Sequence, residues 1–183
     1  MGEVKNVFVS YPPRYSKLAD NVVSELATHG LKPSSTKIVT SLLPTTGDKP
    51  APGVQERREV ERAVQSADAV IVIVGPKGEL DKQQQFEWRA ALEAEWENSE
   101  KRLIPVLLQN AELPSFLSSK QGLRVRDPRR DWDRAVKALI CLLKDEEPQA
   151  RDLITVEEED PAKRRERLQY IERAAQAMKI QES

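Results

Sequence analysis

Ala63-Val64-Gln65-Ser66-Ala67-Asp68-Ala69-Val70-Ile71-Val72-Ile73-Val74 carries, in one short stretch, the end of a helix, a small polar turn and a strand. From Ala69 onward every residue is apolar and most are β-branched, with no polar alternation, which is how a strand covered on both faces reads. Leu103 to Leu108 and Val7-Phe8-Val9 with its flanks have the same character. Such runs belong to a parallel sheet sandwiched by helices.

Helical spacing fills the gaps between them. Leu18, Val22, Val23, Leu26 and Ala27 form an apolar stripe that stops at His29-Gly30, where glycine supplies the left-handed turn of a helix end. A second helix is expected from about Val54 to Ser66, with Val54, Val60, Ala63 and Val64 inward, and a third from about Gln83 to Asn98. A fourth begins near Asp131-Trp132 and turns Val136, Leu139, Ile140 and Leu143 inward. The second strand has to lie between Gly30 and Val54, where Lys37-Ile38-Val39-Thr40 is the best candidate, and a fifth lies near Leu123-Arg124-Val125. Right-handed crossovers wind this alternation into one α/β open parallel sheet with helices on both faces, and the fold expected for it is the flavodoxin-like one, of order 2-1-3-4-5. In that order the chain reverses between the first and third strands, so a small-molecule site is expected from Ser10 to Ser16, Gly75 to Gln83 and the start of the third helix.

Bulk composition narrows the function. Twenty-nine Lys and Arg balance 30 Asp and Glu for a net charge of -1, which gives no broad positive field for a nucleic-acid backbone. Seven glycines are scattered singly, so no phosphate-cradling loop is present. The lone Cys141, within Ala138-Leu139-Ile140-Cys141-Leu142-Leu143, reads as a buried structural thiol and excludes disulfides and cysteine zinc sites. No metal site is expected. The charged start, Met1 to Asn6, has no apolar stretch of signal-peptide or membrane-helix length, so the expected location is cytoplasmic, with no membrane partner.

Three units are expected along the chain: a domain over 1-144, an acidic linker over 145-160 and an amphipathic helical tail over 161-183. Asp160-Pro161 forms a cap and first helical position, and Leu168, Ile171, Ala175 and Met178 then fall on one stripe. This C-terminal helix either packs back on the domain or docks a partner protein. The cluster Lys163-Arg164-Arg165-Glu166-Arg167 reads as a solvated face.

Val7-Phe8-Val9-Ser10-Tyr11 resembles the first box of Toll/interleukin-1 receptor (TIR) domains. The resemblance continues through Ala63 to Val74, through Phe86-Glu87-Trp88-Arg89-Ala90-Ala91-Leu92, similar to the glutamate-bearing helix of that family, and through Arg102 to Leu108. With Trp132 it spans roughly Asn6 to Leu143 and is of bacterial type. It implies either a scaffold that self-associates through TIR surfaces or an enzyme that cleaves NAD by hydrolysis or cyclisation. NAD is then the substrate, and no cofactor is needed.

By position in the motif, the essential glutamate of the enzymes is Glu87. Breaking the nicotinamide-ribose bond builds positive charge on the sugar, and a carboxylate can stabilise it while holding the ribose hydroxyls. An acidic residue near a helix start also gains from the helix dipole alone. The resemblance further implies substrate contacts at Ser10, Tyr11 and Arg14, the last displaced by Pro12-Pro13 from the usual basic position. Leu43 stands on the long loop that closes over the site in TIR domains, and Gln83 stands where the family frequently has a nicotinamide-side Trp. Trp88, Leu92 and Trp96 fall at i, i+4, i+8 and read as packing.

Three functions therefore compete. The first is an assembly-activated NAD nucleosidase in bacterial defence or signalling; the second is a non-catalytic scaffold. The third is a nucleoside deoxyribosyltransferase-like enzyme, which also sets a carboxylate beside a sugar.

Overall fold

The computed structural model describes residues 4–41, 54–76, 82–97, 100–112, 122–146 and 153–154. Its strands are β1 (Asn6–Ser10), β2 (Lys32–Ser34), β3 (Ala69–Val74), β4 (Arg102–Leu108), β5 (Gly122–Val125) and β6 (Leu153–Ile154). The helices are α1 (Ser16–Thr28), α2 (Thr36–Ser41), α3 (Val54–Ser66), α4 (Lys82–Glu97) and α5 (Pro128–Leu143). One sheet runs β2-β1-β3-β4-β5-β6. The first five strands are parallel in the expected order 2-1-3-4-5, and β6 adds to β5 antiparallel. This last pairing draws Leu153-Ile154, an apolar patch in the acidic linker, onto the sheet edge.

Strand alternation divides the core into two layers. Ala69, Ile71 and Ile73 of β3 join Val7 and Val9 of β1 against Val22 and Leu26 of α1 and Val136 and Leu139 of α5. Val70, Val72 and Val74 join Phe8 against Val60 and Val64 of α3 and Trp88 of α4. Because β3 is central, all of its residues are buried, which is why its sequence lacks polar alternation.

The second strand is not where β-propensity placed it. Lys37 to Thr40, the expected strand, lies in α2, and β2 is Lys32–Ser34 instead. Gly30, at φ 81, ends α1, and Lys32 N then donates to Lys5 O at 2.7 Å, so pairing with β1 begins at once. Pro33 is tolerated because β2 is an edge strand and needs donors on one side only. Ser35 then starts α2: its hydroxyl accepts from Ile38 N at 3.4 Å and its carbonyl from Val39 N at 2.9 Å. A cap here outweighs the β-branched pair Ile38-Val39.

Two smaller expectations also change. The fourth long helix starts at Pro128 rather than near Asp131, because the Asp127 carboxylate accepts from Arg129 N at 3.0 Å and Pro128 occupies the first turn. Cys141 is only half-buried, since α5 turns Leu139, Ile140 and Leu143 inward and leaves the thiol at the margin. The tail 161-183 and most of the linker lie outside the described residues.

Gly122 explains how Pro105 sits in a central strand. A Cβ at Gly122 would stand 2.5 Å from Pro105 O and 2.7 Å from its Cγ. Gly122→Ala is therefore expected to cost about 1–3 kcal/mol through a forced shift of β5, read as a lower urea midpoint. An unchanged midpoint would mean that β5 moves freely relative to β4.

Candidate active site

Ser10 closes β1 two residues after Phe8, so its side chain faces the same side of the sheet, the side that α3 and α4 cover. Glu87 lies in the second turn of α4, beyond the first turn where the helix dipole acts most strongly. Gln84, Glu87, Trp88 and Ala91 fall at i, i+3, i+4 and i+7 and are all buried. The glutamate thus occupies an inward position of an otherwise packing stripe. Gln84 Nε2 donates to Ile73 O at 2.6 Å and ties this face of α4 to β3.

Glu87 as a residue is 3% exposed. Ser10 Oγ donates to Glu87 Oε2, and Thr36 Oγ1 donates to Glu87 Oε1. Three distant segments, the end of β1, the start of α2 and the second turn of α4, therefore converge on one acidic group. Thr36 is partly exposed, so this contact lies nearer the surface than the one made by the fully buried Ser10.

Tyr11 stands beside this cluster. Burial raises its phenol pKa, the Asp20 carboxylate raises it further, Lys37 and a hydrogen bond with Ser35 oppose, and the charge of Glu87 adds to the rise. The phenol stays protonated through neutral pH and offers a neutral hydroxyl at the rim. Lys37 Nζ and Asp20 pair at 3.2 Å, both well exposed, and form the outer polar edge.

The sequence-derived site residues separate as follows. Ser10, Tyr11 and Glu87 come together. Ser10 is fully buried and spends its hydroxyl on the glutamate, so it acts on the carboxylate before any substrate. Arg14 is exposed, and its guanidinium lies 5.9 Å from the centroid of the Tyr15 ring. The Tyr15 ring in turn covers Gly75, where a Cβ would come within 2.7 Å of it. The crevice between the loops after β1 and β3 is thus filled by Tyr15 at this point. Leu43, the side chain of Gln83 and residues 77–81 lie outside the described residues. Trp88, 2% exposed, is a core residue as its spacing indicated, and Trp132, 7% exposed, is buried as well.

Thr36 and Ser35 were missed by sequence reading because a strand was expected over the next residues. The run Ser34-Ser35-Thr36 was the available signal, since adjacent hydroxyls ahead of an apolar pair mark a helix start.

Comparisons with known proteins agree on the family and the fold. The family model described as TIR domain matches residues 7–140. A search of curated proteins found no match. Among solved structures, the CMP N-glycosidase of Clostridium botulinum superposes with a TM-score of 0.51 at 12% identity, covering 71% of this chain and 96% of that one. The 2-deoxyribosyltransferase of Bacillus psychrosaccharolyticus does so with a TM-score of 0.52 at 14% identity, covering 78% and 98%. At these identities the likeness is one of fold.

Proposed function

This chain belongs to the TIR domain family, and on that premise we propose that it cleaves the nicotinamide-ribose bond of NAD with Glu87 as the catalytic carboxylate. The observation that carries this reading is the buried Glu87 carboxylate, held by Ser10 and Thr36 at the C-terminal end of β1. A buried acidic group on an inward helix position costs stability, and such a cost is typical of a functional site.

The chemistry asks little else of the protein. When the C1′–N bond breaks, its electron pair leaves with nicotinamide, which departs neutral and needs no proton. The ribosyl group is left as an oxocarbenium-like cation. Glu87 stabilises that charge and accepts hydrogen bonds from the ribose hydroxyls. Water then adds to C1′ and releases a proton, or a ring nitrogen of the adenine closes a cycle instead. Self-association through TIR surfaces supplies activation, in a cytoplasmic defence or signalling role. No described helix is long and apolar enough to cross a membrane.

The two structural neighbours favour a second reading. Their printed names place both at N-glycosidic bonds, one as a CMP N-glycosidase and the other as a 2-deoxyribosyltransferase. A neutral nucleobase leaves only with a proton, which demands an acid that NAD does not require. Purified protein, dilute and then concentrated with a crowding agent, should release nicotinamide from NAD and no base from CMP or deoxynucleosides. Base release with NAD untouched selects the second reading. Self-association without turnover of either leaves a scaffold.

A further inference from the structure

Building on the assignment of Glu87, we propose that Thr36 is a positioning residue for this reaction, its hydroxyl holding the Glu87 carboxylate ionised and in one orientation. Ser10 meets the opposite oxygen from the rigid end of β1, whereas Thr36 comes from an edge segment with its own anchoring. Ser35, 2% exposed, caps α2 and so sets the backbone at Thr36. Threonine is β-branched, and its restricted χ1 keeps the hydroxyl in place with less rotamer freedom to lose than serine has.

The need for two donors follows from burial. Desolvation disfavours the charged form of a carboxylate, and hydrogen bonds donated to it favour that form. The strands next to Glu87 provide no charge: β3 is wholly apolar and β1 presents Phe8 and Ser10 on this face. α3 turns Val60 and Val64 inward and leaves Glu56, Arg57 and Arg58 exposed, with Arg62 on Glu59. Tyr11, just after β1, feels the charge of Glu87 weakly, and the Asp20–Lys37 pair of α1 and α2 acts on Tyr11 more strongly. Within this surrounding, the Thr36 hydroxyl is a short-range influence on Oε1 that a single substitution removes.

The test is a carbon-13 NMR titration of glutamate side chains in the full chain, the Glu87 signal being assigned by its loss in Glu87→Gln. Thr36→Val should move the Glu87 midpoint up by about one pH unit, and Thr36→Ser should leave it near wild type. In NAD turnover, Thr36→Val should lower kcat by about ten- to a hundredfold with KM little changed, and shift the acidic limb of the pH profile upward by the same amount. Thermal melts establish that each variant is folded, and Thr36→Ala replaces Thr36→Val if the valine variant is not. A Glu87 midpoint unmoved in the folded variant overturns the proposal, as does an increase in kcat. Because the titration reads the contact without turnover, an active Glu87→Gln enzyme would remove the catalytic assignment while leaving the Thr36 contact judged on its own shift.

Discussion

Glu87→Gln is expected to lower nicotinamide release by about 10³-fold, the scale on which one preorganised electrostatic contact to a transition state acts. The substitution keeps the size and shape of the side chain and removes its charge. The Ser10 and Thr36 hydroxyls can rotate to suit an amide, since each can accept as well as donate. Folding should therefore be preserved, and the thermal midpoint should stay level or rise, because an amide costs less to bury than a carboxylate. Loss of turnover combined with an equal or higher midpoint separates a catalytic carboxylate from a structural one. A variant that turns over NAD at the wild-type rate sinks the assignment.

Trp88→Ala should produce the largest loss of stability among the residues near the site, about 3–5 kcal/mol. The side chain is 2% exposed and packs with Phe8, Val72 and Val64 between α4 and the sheet. A typical domain has only about 5–15 kcal/mol to lose, so the variant should unfold at a much lower urea concentration, and Trp88→Phe should recover part of the deficit. Trp88 is the immediate neighbour of the glutamate. Its removal will reduce activity through misplacement of α4, with melting and turnover falling together. If turnover vanished while the urea midpoint stayed put, Trp88 would instead be a surface against which substrate stacks.

Strong periodic signals survived the comparison between sequence and structure. The apolar run at Ala69 to Val74 is the fully buried centre of the sheet, and Val54 to Ser66 folds as a helix over that span. The weak point was the edge. A central strand is recognisable because both of its faces are buried, whereas β2 has Lys32, Pro33 and Ser34, none of which favours a strand. What makes it one is the row of hydrogen-bonding groups on β1 beside it. Cys141 fails for a related reason: its apolar neighbours describe the helix as a whole, and only the packed angle of α5 decides which side of the stripe meets solvent.

Local pattern alone was enough to establish the alternation of strands and helices and the helix that bears Glu87, because burial on one or two faces leaves a periodic trace in the chain. The surroundings of that carboxylate left no such trace. Ser10, Thr36 and Glu87 are separated by long stretches of chain, and their meeting depends on where β2 ends beside β1 and on how α4 lies across the sheet. A hydrogen bond between distant segments has no period. It exists only once the layers have packed.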